Sequence, residues 1–356
     1  MSTATGPVLP KRVLQGAIGV LLVLKLVMLL VPAPFMDEAY YWMWGQHLSL
    51  SYFDHPPMIA WTEGLAALAF GWSSLGVRAF VMLALVGDIV VLALFARRLS
   101  GATWREEFRG SLALFCAIPI FFALTGLALP DRLLIFFSLL SLFWFTDFLL
   151  DWRDTGPARY GPLYLAALSL GLALLSKYNA VLLGIGVAAF VVTSPRYRAL
   201  LRRWQLYVAV LIVGVVQLPV IIWNLQHGFA SVLFTFENRR GATDWVSGLS
   251  GYVLGIVVML SPFLLPPLAR LLFGRSQRAP DDPAQGLARS IFLASSAVFL
   301  FASLSKNVLI HWNIVAYVGV LPFIAPYFRS RPMMAGQLVF GGLFALVVAF
   351  NYTVMP

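Results

Sequence analysis

Long apolar runs alternate with short polar segments along almost the whole chain. A helix needs about 20 apolar residues to cross a bilayer, and eleven runs reach or approach that length. They are 13–31, 78–96, 110–128, 132–150, 161–176, 179–193, 205–223, 251–273, 288–304, 308–327 and 334–352. The pair 161–176 and 179–193 is short enough to form tilted or half-depth helices. The pattern predicts an all-α polytopic membrane protein with about eleven transmembrane helices, formed by a single transmembrane domain over 1–356.

The composition also indicates a protein that is embedded in a membrane. Apolar residues of the AVILMFWYC set make up 60% of the chain and charged residues 11%, whereas soluble domains carry about 25% charged residues. The net charge of +10 does not indicate nucleic-acid binding, because the basic residues lie in short loops between apolar runs. The single cysteine, Cys116, excludes an intramolecular disulfide. Pro32 and Pro34, and no small-residue cleavage site, follow the first run, so we expect a retained helix and no signal peptide.

The distribution of Lys and Arg predicts how the chain is oriented. With a cytoplasmic N-terminus, Lys25 falls inside the first helix and most of the 25 basic residues fall on the cytoplasmic side. The outer side then holds only Arg78, Arg132, Lys177, Arg239, Arg240 and Lys306. This positive-inside bias predicts a multi-pass protein of a bacterial inner membrane, with the N-terminus in the cytoplasm.

Two outer loops, 32–77 and 224–250, are long and rich in aromatic, acidic and histidine residues. Such residues are able to bind substrates and transfer protons, whereas the predicted cytoplasmic loops are mostly short and basic. We therefore expect the two outer loops to form an active site on the periplasmic or extracellular face.

The first outer loop is predicted to contain interfacial helices. Asp37, Tyr41, Trp44 and Leu48 recur at helical spacing and share one face, so 37–48 is predicted to be an amphipathic helix on the outer leaflet. Asp54 stands before a Pro-Pro pair, which is typical of the N-cap of a second short helix. Asp37 and Asp54 have two interpretations: they cap helices, or they form a carboxylate pair for acid–base chemistry.

Six stretches of sequence, in order, resemble one enzyme family. They are DEAYYWMWGQHLSLSYFDHPPMIAW in the first outer loop, ALPDRLLIFF, LALLSKYNAVLLG, PVIIWNLQHGFASVLFTFENRR, SPFLLPP and KNVLIHWNIVAY. The chain resembles bacterial relatives of the dolichyl-phosphate-mannose protein mannosyltransferases (family 39) and of the lipid A aminoarabinose transferases. These enzymes form part of the C-type glycosyltransferase superfamily, and the resemblance covers nearly the whole chain.

The resemblance implies the C-type fold and an inverting glycosyltransferase. Such enzymes move a hexose or pentose from a polyprenyl-phosphate carrier in the outer leaflet to an acceptor. The residue that matches the general base of the family is Asp37, and Glu38 completes the catalytic Asp-Glu motif and positions neighbouring groups. Many relatives carry a C-terminal soluble domain, and none is expected here, which favours a lipid-linked acceptor such as lipid A or a lipopolysaccharide core.

The leaving phosphate requires a cationic site, because Lys and Arg stabilise developing phosphate charge. The candidates for binding the donor phosphate and substrate are Tyr52, Asp54, His55, Asp131, Lys177, Arg239, Arg240, Lys306 and His311. The alternative for each cation is a charge that pairs with anionic headgroups, and His227 is a weaker candidate. Asp131 is expected to orient the sugar or to help hold a cation. No close-spaced ligand motif is present, so no metal is assigned, although a requirement for a divalent cation stays open.

Other functions remain as alternatives. A lipid or sugar transporter or flippase would have charges along a path through the bilayer, and broken helices in matched halves. The Asp-Glu start of the first loop argues against a polysaccharide polymerase or ligase, and a noncatalytic relative would only bind the carrier lipid. The sequence does not indicate which sugar is transferred, the acceptor or the oligomeric state.

Two charges fall deep inside predicted helices. Lys25 and Asp88 would each cost roughly 2.5–3.5 kcal/mol if they faced hydrocarbon. We expect both to point into the helix bundle, either toward each other or toward backbone and hydroxyl partners.

Overall fold

A computed structural model describes residues 9–156, 159–237, 244–277, 282–328 and 330–354. All regular secondary structure within these ranges is helical. In the described residues, six helical stretches are long and apolar enough to cross a membrane, or up to eight if two bent helix pairs each form one span. The chain is therefore an all-α, multi-pass membrane protein.

The helices of the first half begin at the N-terminus and end near the middle of the chain. They are α1 (Lys11–Leu30), α2 (Met36–Gln46), α3 (Met58–Phe70), α4 (Ser74–Ser100), α5 (Trp104–Ala117), α6 (Pro119–Leu124), α7 (Pro130–Thr155) and α8 (Gly161–Ser176). The helices of the second half are α9 (Val181–Thr193), α10 (Trp204–Val216), α11 (Leu218–Gln226), α12 (Ala230–Glu237), α13 (Trp245–Leu260), α14 (Leu265–Phe273), α15 (Pro283–Ser303), α16 (Ile314–Ile324) and α17 (Arg331–Val354). Short 3-10 helices link several of them, at Gly101–Thr103, Tyr178–Ala180, Arg198–Arg202, Ile310–Asn313 and Ala325–Tyr327.

Each of the eleven apolar runs coincides with helical structure, but the count of eleven spans is not confirmed. Helices α8 and α9 have only 16 and 13 residues, which is short for a full crossing. Two further runs are bent, by 48° between α10 and α11 and by 103° between α13 and α14. Pro219 lies in the first turn of α11, and Ser261 between α13 and α14 has a positive φ of 79°. A proline without an amide donor and a left-handed residue both interrupt a helix.

The first outer loop folds into two short helices, as the sequence predicted. Helix α2 covers most of the predicted segment 37–48, and α3 follows directly after the Pro-Pro pair. The two helices approach closely at Gly45 and Gly64. A Cβ on Gly64 would lie 3.0 Å from the carbonyl oxygen of Gly45, so a larger residue there would push α2 away from α3.

The bundle is centred on α7 and α16, whose residues are mostly buried by the surrounding helices. All eleven residues of α16 are buried. Helix α7 packs against α8, α4 and α16. Because the N-terminus of α7 begins at Pro130, this central helix fixes the position of Asp131 next to it.

The two deep charges point into the bundle, as predicted, and both use partners other than each other. The Lys25 Nζ donates to the carbonyl oxygen of Phe122 and to the Thr125 Oγ1, each at 2.6 Å. Asp88 forms a fully buried ion pair with Arg132. The count of basic residues assigned Arg132 to the outer side and gave it no acidic partner. In the structure, Arg132 neutralises a carboxylate that could not stay alone in hydrocarbon.

Candidate active site

Asp37 lies in the first turn of α2 and is exposed. Its carboxylate makes no side-chain hydrogen bond to any residue that the structure describes. Asp37 is therefore an exposed carboxylate that a bound molecule can reach.

Glu38, the next residue, is in the opposite situation. It is fully buried, and its two oxygens accept hydrogen bonds from the Arg78 Nε and Nη2 at 3.0 and 2.6 Å. The backbone amides of Phe35 and Ala128 also donate to it, each at 2.8 Å. Glu38 thus joins the start of α2 to α4 and to the segment before α7, and it holds Asp37 in place.

Three carboxylates of the site lie close enough to Tyr41 for their charges to act on its hydroxyl. Burial, followed by the charges of Asp54, Asp131 and Asp37, raises the pKa of Tyr41 above its ordinary value. The Tyr41 ring also lies 5.8 Å from the His55 ring, measured between centroids. Residues from the first outer loop and from the start of α7 therefore meet around one buried phenol.

Asp54 lies in the loop between α2 and α3. The Tyr40 hydroxyl donates to the Asp54 Oδ1 at 3.3 Å. The predicted role of Asp54 as an N-cap was wrong, because the N-cap of α3 is Pro57 and no side chain caps that helix.

Tyr52 holds the same loop together. Its hydroxyl lies 3.0 and 2.9 Å from the carbonyl oxygens of Trp44 and His47, to which it donates, and it accepts a hydrogen bond from the Ser49 amide at 3.1 Å. Its ring stacks on Trp44 with centroids 4.2 Å apart. The hydroxyl is thus engaged within the loop, and Tyr52 positions the loop more directly than it offers a group to substrate.

Asp131 and Lys177 form a buried ion pair below this loop. The Lys177 Nζ donates to the Asp131 Oδ2 at 2.7 Å, while the Asp131 Oδ1 is buried and has no hydrogen-bond partner in the described residues. Lys177 takes an extended conformation that ends α8, so its side chain leaves the helix and reaches α7. His311 and His55 are close enough for their charges to act on Asp131.

The segment before α16 carries Lys306 and His311, and it lies at the end of the bundle where α8 meets α9. The Asn179 Nδ2 donates to the carbonyl oxygen of Trp312 at 2.8 Å, which ties the short 3-10 helix Ile310–Asn313 to the junction of α8 and α9. Lys306 is half-buried, and its ammonium makes no hydrogen bond or ion pair within the described residues. It is therefore a cation that is available to an anionic ligand.

The second outer loop packs onto the first. The rings of Phe53 in the first loop and Phe234 in the second lie 4.7 Å apart. The second loop also contacts the junction of α8 and α9, where the hydroxyls of Tyr178 and Ser231 lie 2.9 Å apart. His227 is exposed and stacks on Trp223 with centroids 4.1 Å apart. The candidate arginines of this loop, Arg239 and Arg240, lie outside the described residues.

Two buried residues near the site were not predicted. Arg78, which the count of basic residues assigned to the outer side, is 1% exposed and pairs with Glu38. Glu63 of α3 is buried, and neither of its carboxyl oxygens has a hydrogen-bond partner in the described part of the chain. Burial, with a further contribution from the Glu38 charge, raises the pKa of Glu63 to about 9. A signal for Arg78 was present, since it opposed the charge bias, whereas nothing in the local sequence marks Glu63.

A metal site is not formed by these acids in the described ranges. Among those residues, no group of three or more His, Cys, Asp or Glu side chains could hold a metal ion.

Three comparisons with known proteins each find similar proteins. Residues 54–223 match the family model of dolichyl-phosphate-mannose-protein mannosyltransferase. Lipid A galacturonosyltransferase RgtD from Rhizobium johnstonii is 30% identical over 305 residues, which cover 80% of this chain and 58% of RgtD.

The third match is to crystal structures of ArnT from Cupriavidus metallidurans. The apo structure superposes with a TM-score of 0.61 and the structure bound to undecaprenyl phosphate with 0.63, both at 19% identity. These superpositions cover 94% of this chain and 59% and 60% of ArnT, respectively. The likeness establishes a shared fold, and the chain spans about three-fifths of the length of the proteins it matches.

Proposed function

Because the chain belongs by fold and sequence to the C-type glycosyltransferase superfamily, among relatives of the protein mannosyltransferases and ArnT, we propose that it is a membrane glycosyltransferase. It moves a sugar from a polyprenyl-phosphate donor to a lipid-linked acceptor. The observation that carries the proposal is the pair of adjacent acids on α2. Glu38 is buried and hydrogen-bonded through both carboxyl oxygens, and it presents Asp37, which is exposed and has no side-chain hydrogen bond to a described residue.

Asp37 acts as the general base in this proposal. It takes the proton from the acceptor hydroxyl, and the hydroxyl oxygen attacks the anomeric carbon of the donor sugar. The bond from that carbon to the phosphate oxygen breaks, and the electron pair leaves with the polyprenyl phosphate. Attack opposite the leaving group inverts the anomeric centre.

The cations of the site have separate roles. Lys177 is neutralised by Asp131 at 2.7 Å, so it positions the carboxylate and does not supply net positive charge. Lys306 is half-buried and unpaired within the described residues, which supports it as a partner of the leaving phosphate. His311 lies five residues further along the same segment and supports the same subsite, and Arg239 and Arg240 stay candidates for it.

The relatives support a particular donor and acceptor. RgtD is a lipid A galacturonosyltransferase, and ArnT has been crystallised with undecaprenyl phosphate. We propose lipid A, or a related membrane glycolipid, as acceptor and an undecaprenyl-phosphate-linked sugar as donor, with a uronic acid as the first sugar to test. Reaction takes place on the outer face of the inner membrane, with the N-terminus in the cytoplasm.

The experiment is a transfer assay with the full chain in lipid nanodiscs. Undecaprenyl-phosphate-linked galacturonic acid, aminoarabinose and a neutral hexose are each supplied with lipid A, and the products are analysed by mass spectrometry. Lipid A that gains the mass of one sugar residue supports the proposal. A chain that binds undecaprenyl phosphate but transfers none of the sugars to lipid A or to lipopolysaccharide core would instead fit a noncatalytic binder.

The orientation has its own test. The only cysteine, Cys116, is fully buried and is replaced by alanine, after which single cysteines are introduced at Ser49 and Ser276. A membrane-impermeant maleimide applied to cells with a permeabilised outer membrane should label Ser49→Cys and not Ser276→Cys. The reverse pattern would place the candidate site in the cytoplasm and contradict the proposal.

A further inference from the structure

A cavity of about 230 Å³ lies between α7, α8, α9 and α10. Its lining consists of aliphatic and aromatic side chains and one glycine, apart from Ser141. The Ser141 Oγ already donates to the carbonyl oxygen of Ala166 at 2.8 Å. Water in this space would find no free polar partner, and apolar cavities of this size stay dry unless an apolar molecule fills them.

The cavity opens onto the surface that faces lipid. Val210 of α10 and Val192 of α9 line it, although their side chains are 63% and 50% exposed. In a bilayer, the molecules next to these exposed valines are lipid tails. A hydrocarbon chain is therefore both the chemistry that the lining accepts and the chemistry that is present at the opening.

The opening of the cavity lies beside a basic segment. Leu201 and Leu206 line the cavity, and between them stand Arg202 and Arg203, both exposed. Their guanidinium groups make no hydrogen bond within the described residues. Basic residues next to a membrane attract anionic headgroups, at about 1 kcal/mol per residue.

Two further features fit a headgroup at this position. Trp204 is exposed, as is usual for a tryptophan at the level of lipid headgroups. The Gln205 Oε1 is buried and has no hydrogen-bond partner in the part of the chain that the structure describes. A glycerol hydroxyl of a bound lipid would satisfy this oxygen.

We propose that the cavity binds one acyl chain of an anionic phospholipid, whose phosphate lies against Arg202 and Arg203. The site is separate from the candidate active site. Leu170 is the cavity-lining residue of α8 nearest in sequence to Lys177 of the active site, and the seven residue steps from Leu170 to Lys177 correspond to about 10 Å of helix. The proposal does not depend on the transferase activity, and the lipid would brace α10 against α8.

The test is native mass spectrometry of the delipidated full chain, with phosphatidylglycerol and phosphatidylcholine of identical acyl chains. Wild-type protein should retain phosphatidylglycerol more strongly than phosphatidylcholine. The double variant Arg202→Ala/Arg203→Ala should lose about 30-fold in affinity for phosphatidylglycerol, which corresponds to about 2 kcal/mol. The matched control is Lys11→Ala/Arg12→Ala, an adjacent exposed basic pair at the start of α1, which should bind as wild type does.

A cavity-filling variant tests the acyl site independently of charge. Ala167 lines the cavity, and Ala167→Phe should release phosphatidylglycerol while circular dichroism and melting remain close to wild type. If Ala167→Phe unfolds the chain, the smaller Ala167→Val should still weaken binding. The proposal is overturned if wild type binds phosphatidylglycerol and phosphatidylcholine equally and the double arginine variant binds both lipids as wild type does. It is also overturned if both Ala167 variants retain the lipid, or if undecaprenyl phosphate displaces phosphatidylglycerol from the cavity.

Discussion

Replacing Glu38 by glutamine removes one charge from a buried ion pair and keeps the size of the side chain. The carboxylate accepts four hydrogen bonds, two from Arg78 and one each from the amides of Phe35 and Ala128. A glutamine amide nitrogen cannot accept, so the bonds made to one of the two oxygens are lost. Breaking a buried pair by changing one partner costs about 3–5 kcal/mol.

The other hydrogen bonds of Arg78 put the expected loss of stability at the lower end of that range. Its Nη1 and Nη2 also donate to the carbonyl oxygens of Pro32 at 2.9 Å and of Leu29 and Ala33 at 3.2 Å. These dipoles continue to solvate the guanidinium when the carboxylate is gone. We therefore expect Glu38→Gln to destabilise the chain by about 3 kcal/mol and to lower its melting temperature by about 4 °C.

The assay is thermal unfolding of wild type and variants in the same detergent and at the same heating rate. Asp37→Asn is the matched control, because it is the same carboxylate-to-amide change one residue away, at an exposed side chain without a described hydrogen bond. It should shift stability by less than about 0.5 kcal/mol. Equal melting temperatures for Glu38→Gln and wild type would refute the structural role given to Glu38.

Three further predictions concern other buried or unpaired charges. Asp88→Leu leaves the buried guanidinium of Arg132 without its carboxylate and should lower the melting temperature more than Asp88→Asn does. A second change, Arg132→Met, should restore much of the lost stability, and no restoration would argue against the ion pair. Glu63 stays protonated in the folded chain up to a pH of about 9, whereas it ionises above a pH of about 4.5 in the unfolded chain. Wild type should therefore lose stability as the pH rises from about 4.5 to 9, by at most about 1.4 kcal/mol per pH unit. Glu63→Gln should remove that slope, and identical melting differences from wild type at pH 5 and pH 8 would contradict the protonated state. Lys306→Ala should lower kcat/KM for the donor about 10- to 100-fold through a lost charge-assisted hydrogen bond, whereas Lys11→Ala should not, and an unchanged response to donor concentration would assign Lys306 to lipid headgroups.

The sequence predicted the helices because hydrophobic length depends on local composition alone. It did not predict which helices span, because α8 and α9 are short and their depth depends on packing. The bend at Ser261 likewise depends on a single residue with a left-handed backbone. The elements were therefore predictable from the pattern, and the number of crossings was not.

The candidate site shows the same division between local and distant information. Asp37 and its helix were predicted from the spacing and the family resemblance, both of which lie within one loop. The partners of the basic residues were not, because Arg78, Arg132 and Lys177 pair with acids 40, 44 and 46 positions away. Counting charges along the chain places a cation on one side of the membrane, but it does not reveal that a carboxylate already neutralises it.

The central claim is that Asp37 is the general base of a sugar transfer, and the most direct measurement is the single-turnover rate of Asp37→Asn with bound donor. Donor binding, measured separately with undecaprenyl phosphate, and the melting temperature should match wild type. The transfer rate should fall by about 10²–10⁴-fold, which is the usual contribution of a general base. An Asp37→Asn protein that transfers sugar at the wild-type rate would contradict the account.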